Sequence, residues 1–141
     1  MAYEHELAFA RTLSLEAGKL TRESFGISTA ATWKQDDTPL TEADLAVNDL
    51  VITTVNQQFP DDGVLGEEAS TRTEASRLWV VDPIDGTQPF SIGVPVSTFC
   101  LALVIDQEPV LGAVYDPYQD RLYAAVKGEG ALRLRLLDMG L

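Results

Sequence analysis

Apolar residues are arranged in two ways along this chain, as stripes of regular spacing and as short continuous runs. Each arrangement predicts a different kind of secondary-structure element. Spacing of three and four residues predicts an amphipathic helix over residues 4 to about 25 and a second helix over residues 41–59. The apolar stripe comprises Leu7, Ala10, Leu13 or Ser14, Ala17 and Leu20 in the first helix, and Leu45, Leu50, Val51 and Val55 in the second. Each helix therefore has one face that can pack against a core.

Short apolar runs bounded by turn residues predict the strands. Residues 64–66 and 78–81 form two such runs, and residues 28–40, which include Pro39, predict an extended or hairpin segment. Downstream, turn residues recur at hairpin spacing and predict an antiparallel meander. Its expected strands are residues 97–105, 110–115, 122–126 and 132–137.

Composition and charge argue against several classes of function. The chain has 141 residues and a net charge of −12, and that charge argues against binding to a nucleic-acid backbone. Its longest near-continuous apolar stretch, residues 99–105, is too short to span a bilayer. His5 is the only histidine, which argues against a histidine triad or zinc cluster. Cys100 is the only cysteine, so we expect a core residue and a cytoplasmic protein without intrachain disulfides.

Two carboxylates follow the predicted strand 78–81 within one tight turn. Pro83 has no N–H to donate to a sheet, so the strand is expected to end at Asp82. Asp82 and Asp85 then repel each other unless a proton, a hydrogen bond or a cation intervenes. Mg²⁺ suits such a pair because it prefers oxygen ligands. Gly86 permits close backbone approach, and the N–H groups of Gly86 and Thr87 can point at an anion.

Each of these features also has a purely structural interpretation. The sequence Asp-Pro-x-Asp-Gly is a common β-turn composition. Thr41 and Asp44 have the spacing of a helix capping box, which would make them an ordinary start to the second helix. A helix N-terminus is also a favourable place to bind phosphate, so the two interpretations of Thr41 and Asp44 can coexist.

The nonapeptide Trp79-Val80-Val81-Asp82-Pro83-Ile84-Asp85-Gly86-Thr87, followed by Phe90 and Gly93, resembles the first signature of the inositol monophosphatase family. The resemblance covers nearly the whole chain, with one departure at Pro89, where asparagine is commoner and a backbone donor is lost. The further matching segments are Lys34 with Thr41-Glu42-Ala43-Asp44, Gly66-Glu67-Glu68, Gly112-Ala113-Val114-Tyr115-Asp116-Pro117 and Gly128-Glu129-Gly130-Ala131.

This resemblance implies an α/β fold, a layered α+β sandwich in which two helices pack on a mixed, largely antiparallel sheet. It implies a magnesium-dependent, lithium-sensitive phosphomonoesterase that acts on a small phosphate ester, with Lys34 near the site. Glu68, or Thr87 with Asp44, would orient the attacking water. Asp85, Gly86 and Thr87 would bind the substrate. The implied metal ligands are Glu67, Asp82, the carbonyl of Ile84 and Asp85.

One part of the family pattern is missing from this sequence. Family members continue into a second half that carries a Trp-Asp-x-Ala-x-Gly signature, which does not occur here. We therefore expect residues 1–141 to form the N-terminal domain of such an enzyme, without the C-terminal domain. The resemblance also implies a homodimer. Inositol monophosphate is the favoured substrate, with histidinol phosphate, a 3′-phosphonucleotide and fructose bisphosphate as alternatives. The alternative from a different class of function is a truncated metal-binding domain without catalytic activity.

Overall fold

A six-stranded sheet carries two long helices on one face in this computed structural model, which describes residues 2–25, 32–33 and 39–137. The helices are α1 (Glu4–Ser24), α2 (Glu42–Gln58) and a short α3 (Thr87–Ser91). The sheet comprises β3 (Gly63–Gly66), β4 (Arg77–Asp85), β5 (Thr98–Ile105), β6 (Glu108–Asp116), β7 (Arg121–Val126) and β8 (Ala131–Leu134). A separate hairpin pairs β1 (Thr32–Trp33) with β2 (Pro39–Leu40).

The sheet follows the order of the chain, from β3 at one edge to β8 at the other. Only β3 and β4 run parallel, and every later neighbouring pair is antiparallel. Helix α1 packs on β5, β6 and β7, whereas α2 packs on β3 and β4. The predicted fold class, two helices on a mixed and largely antiparallel sheet, is confirmed. Among the described helices, none combines the length and apolarity needed to cross a membrane.

The buried stripe of α2 differs from the predicted one at Leu45. Leu45 is 44% exposed, whereas Val47 is fully buried together with the predicted Val51 and Val55. Val47 lies four residues before Val51, and Asp44 lies three residues before Val47. Residues at these spacings share one face of a helix, and Leu45 lies outside that face. The prediction chose an apolar residue, but the buried face of α2 includes the carboxylate of Asp44 and excludes Leu45.

The strand expected to end at Asp82 continues through Pro83 to Asp85, so that prediction was wrong. A β-bulge allows the continuation: Asp82 pairs with Cys100 and Asp85 pairs with Thr98, which leaves one extra residue on β4. On the other side of β4, the register with β3 ends at Val81. The missing N–H of Pro83 therefore interrupts neither ladder.

Asp62, at the turn before β3, anchors the helix side of the sheet. Its buried carboxylate accepts hydrogen bonds from Trp79 Nε1 and from Arg77 Nε, both at 2.9 Å. Arg77 also forms an ion pair with Glu6 of α1 at 3.1 Å. Burial lowers the pKa of the guanidinium, but the hydrogen bonds and negative charges of Asp62 and Glu6 outweigh this effect, so the pKa is raised. One carboxylate thus links β4, the β3 turn and, through Arg77, α1.

We expect Asp62→Ala to lower the free energy of unfolding by about 2–4 kcal/mol, because it leaves the buried Trp79 N–H and the Arg77 guanidinium without their acceptor. Urea unfolding would measure the change. The matched control is Glu108→Gln, which removes the exposed ion pair with Lys127 and should change stability by less than about 1 kcal/mol. Equal losses in the two variants would contradict the role given to Asp62.

Candidate active site

Asp44 and Thr87, which lie 43 residues apart, meet through a hydrogen bond. Thr87 Oγ1 donates to Asp44 Oδ1 at 2.9 Å, and it also lies 3.0 Å from the carbonyl oxygen of Ile84. A hydroxyl has one hydrogen, and the bond to a carboxylate is the stronger of the two. The Thr87 oxygen is then left as an acceptor that can face a water molecule.

The other oxygen of Asp44 caps its own helix. The backbone N–H of Thr41 donates to Asp44 Oδ2 at 3.0 Å, while the Asp44 N–H donates to Thr41 Oγ1 at 3.3 Å. The hydroxyl of Thr41 also contacts Asp44 Oδ2. The predicted capping box is therefore confirmed, and it fixes the fully buried Asp44 side chain in the orientation that reaches Thr87.

A separate small core joins the segments that carry these residues. Ala43 of α2, Ile84 of β4 and Phe90 of α3 are all buried against each other, and the half-buried Phe25 packs on them. Each member is a close sequence neighbour of a predicted site residue. Packing at this small core therefore sets the distance between α2, the end of β4 and α3.

Carboxylates crowd around Asp82. Burial, a hydrogen bond with Glu67 and the negative charges of Glu67, Asp85 and Asp44 raise the pKa of Asp82 to about 8. Its Oδ1 atom is buried and has no hydrogen-bond partner. A buried acceptor without a donor, surrounded by like charges, is a position that a cation would stabilise.

These oxygens have the chemistry of a Mg²⁺ site, because Mg²⁺ binds carboxylates and carbonyls and keeps several waters. Within the described residues, however, no three carboxylate, histidine or cysteine side chains already form a metal-binding cluster. The predicted ligands Glu67, Asp82 and Asp85 are close enough to interact electrostatically. Side-chain rearrangement would therefore be needed for all of them to reach one ion.

The remaining predicted site residues lie around this cluster. Glu67 is exposed and Glu68 half-buried, just after β3, where the Glu67 N–H donates to the carbonyl of Val81 at 3.2 Å. Gly86 has φ 98°, a backbone conformation that favours glycine, and its carbonyl accepts from Phe90 N–H at 3.1 Å. The helix α3 that starts there was not predicted. Lys34 lies outside the described residues.

Cys100 is not the core residue that the sequence predicted. It is half-buried and lies opposite Asp82 in the β4–β5 register. Burial raises the pKa of its thiol, and the negative charges of Asp85 and Asp82 raise it further. A hydrogen bond with Thr98 lowers the pKa but does not cancel these effects. The thiol is thus a neutral neighbour of the carboxylate cluster. Its place opposite Asp82 could have been found only from the strand register.

Comparison with known proteins decides the family. The sequence profile of the Inositol monophosphatase family matches residues 2–135. This chain belongs to that family. The described site therefore occupies an inositol monophosphatase fold, and its motifs appear in the order that the resemblance implied.

Three relatives illustrate how this member compares with the family. A histidinol-phosphatase of Mycobacterium tuberculosis is 43% identical over 128 residues, covering 89% of this chain and 49% of the relative. Inositol monophosphatase 1 of Solanum lycopersicum is 35% identical over 133 residues, covering 91% and 49%. The solved structure of the Thermotoga maritima IMPase superposes with a TM-score of 0.86 at 30% identity, covering 92% and 51%. The chain thus spans about half the length of these family members.

We expect the metal-free chain to lose stability as the pH rises from about 4 to 8, because folded Asp82 keeps a proton that the unfolded chain releases near its ordinary pKa. The variant Asp82→Asn removes this group and should lose less stability over the same range. Urea unfolding in a metal chelator at pH 5 and pH 8.5 measures both. Parallel pH dependence in the two proteins would contradict the crowding of carboxylates around Asp82.

Proposed function

We propose that the protein is a Mg²⁺-dependent phosphomonoesterase and that residues 1–141 form its N-terminal domain. The reaction consumes water and a phosphate monoester and yields an alcohol and inorganic phosphate. Membership of the inositol monophosphatase family supports the reaction class. The single observation that carries the proposal is the Thr87–Asp44 hydrogen bond next to the crowded carboxylates.

Thr87 and Asp44 would orient the attacking water. Asp44 accepts the Thr87 hydroxyl hydrogen, so a lone pair of the Thr87 oxygen is free to accept a hydrogen bond from that water. Glu68 lies beside Glu67 and is the alternative group for holding the water. A positioned acceptor of this kind contributes by orienting the nucleophile, and the water's proton could pass to the Thr87 oxygen while the Thr87 proton passes to the Asp44 carboxylate.

Glu67, Asp82, Asp85 and the carbonyl oxygen of Ile84 would hold the magnesium. When bound, Mg²⁺ supplies Lewis acidity that activates water and neutralises charge on the phosphate and the leaving alcohol. The backbone N–H groups of Gly86 and Thr87, together with Asp85, would bind the substrate. Inhibition by lithium and a homodimer, which the resemblance implies, stay predictions, as does the cytoplasmic location inferred from the single cysteine.

Two substrates are supported by different observations. Inositol monophosphate is favoured by the motif around Asp82 and by the family as a whole. Histidinol phosphate is favoured by the higher identity, 43%, with a histidinol-phosphatase, against 35% with the tomato inositol monophosphatase. Both are small alcohols esterified once with phosphate, so one site chemistry serves either. A 3′-phosphonucleotide remains the third candidate.

Phosphate release by the purified chain tests the function. The substrates are inositol 1-phosphate, histidinol phosphate and 3′-phosphoadenosine phosphate, each with and without Mg²⁺. We expect release that requires Mg²⁺ and is abolished by Asp85→Asn, an exposed position where the change should preserve folding. A folded chain that binds Mg²⁺ but releases no phosphate from any substrate would instead support the alternative, a metal-binding domain.

Thr87→Val should lower kcat by about 100-fold or more with little change in KM, because it removes the oxygen that would orient the water and keeps the shape of the side chain. Steady-state kinetics with the preferred substrate measures both constants. The matched control is Ser91→Ala in the same short helix, whose hydroxyl donates to the carbonyl of Gln88 at 2.7 Å. An equal loss in Ser91→Ala would show that helix stability, and not the Thr87 hydroxyl, is responsible.

A further inference from the structure

A buried side chain of α2 holds the segment that carries Glu67 and Glu68. Asn48 is fully buried, and its Nδ2 donates to the carbonyl oxygen of Ala69 at 3.0 Å. Its Oδ1 accepts from the backbone N–H of Glu68 at 3.4 Å. One amide thus bonds to backbone groups on both sides of the Glu68 side chain.

The sequence makes room for this contact at Gly66. A Cβ atom on Gly66 would lie 2.4 Å from Asn48 Oδ1 and 2.2 Å from the carbonyl oxygen of Ala69, distances that real Cβ atoms do not reach. Two further backbone N–H groups of the segment bond elsewhere: Gly66 N–H donates to Ser70 Oγ at 3.0 Å, and Glu67 N–H donates to the carbonyl oxygen of Val81 in β4 at 3.2 Å. Only Asn48 ties the segment to α2 among these contacts.

Asn48 lies one turn after Asp44, so both side chains project from the same face of α2. Asp44 bonds to Thr87, and Asn48 bonds to the segment of Glu67 and Glu68. We propose that Asn48 is a positioning residue, which sets where Glu67 and Glu68 stand relative to Asp82 and thereby the affinity for Mg²⁺. This inference rests on the proposed function and extends it to a residue outside the family motifs.

A purely structural role makes a different prediction. If Asn48 only satisfies buried backbone groups, its loss should lower stability and leave cation affinity unchanged. Asp62 offers the matched control, because it is also a buried polar side chain, and it lies at the opposite end of β3 from Glu67. The variant Asp62→Asn weakens the fold without touching the segment of Glu67 and Glu68.

The test is calorimetric titration of the full chain with MgCl₂ alone, for the unmodified protein, Asn48→Ala and Asp62→Asn. Partners that orient metal ligands typically change metal affinity by 10- to 100-fold when removed. We therefore expect Asn48→Ala to bind Mg²⁺ about tenfold more weakly and Asp62→Asn to match the unmodified protein within about twofold. If Asn48→Ala does not fold, Asn48→Ser replaces it, because its hydroxyl is too short to bridge both backbone groups.

Amide hydrogen exchange provides the second readout. Asn48→Ala should lose protection at residues 66–69 more than elsewhere in the chain, which supports the positioning role independently of the metal. Unchanged Mg²⁺ affinity or unchanged protection in that segment would overturn the proposal. An unmodified chain that binds no Mg²⁺ would contradict the proposed function itself and, with it, the cation part of this inference, while hydrogen exchange would still decide whether Asn48 fixes the segment.

Discussion

Repulsion between carboxylates at the end of β4 is the constraint on which the rest of the structure depends. Two unit charges about 4 Å apart repel by about 4 kcal/mol at an effective dielectric constant of 20. That is comparable with the whole stability of many domains, about 5–15 kcal/mol. Burial and its carboxylate neighbours raise the pKa of Asp82 to about 8, so without a cation the fold keeps a proton there. The same arrangement is unfavourable for an empty site and favourable for a cation.

Two hydrophobic cores hold the carboxylates in this unfavourable arrangement. The main core fixes α2 against β3 and β4 through fully buried residues such as Val51 and Trp79. The small core of Ala43, Ile84 and Phe90 then fixes the ends of the segments that carry the charges. Because the two cores are separate clusters, local adjustment around a bound ion need not disturb the packing beneath the sheet.

The sequence predicted what local pattern can specify and missed what depends on tertiary contact. The two long helices and the antiparallel meander followed from spacing and turn chemistry, and the fold class followed from the resemblance. Pro83 was misread as the end of a strand, because a bulge and the end of the β3 register can be seen only in the paired sheet. Leu45 was placed in the core because an apolar residue is the usual choice there. Asn48 had no local signal, since its partners lie about twenty residues away.

The two interpretations of Thr41 and Asp44 show why a motif can support structure and chemistry together. A carboxylate has two oxygens, and Asp44 uses Oδ2 for the helix cap and Oδ1 for Thr87. The cap therefore does not compete with the contact to Thr87, and it reduces the rotational freedom of the side chain that makes that contact. A capping box that would otherwise be only a helix start thus also orients the carboxylate that accepts from Thr87, the hydroxyl that we propose holds the attacking water.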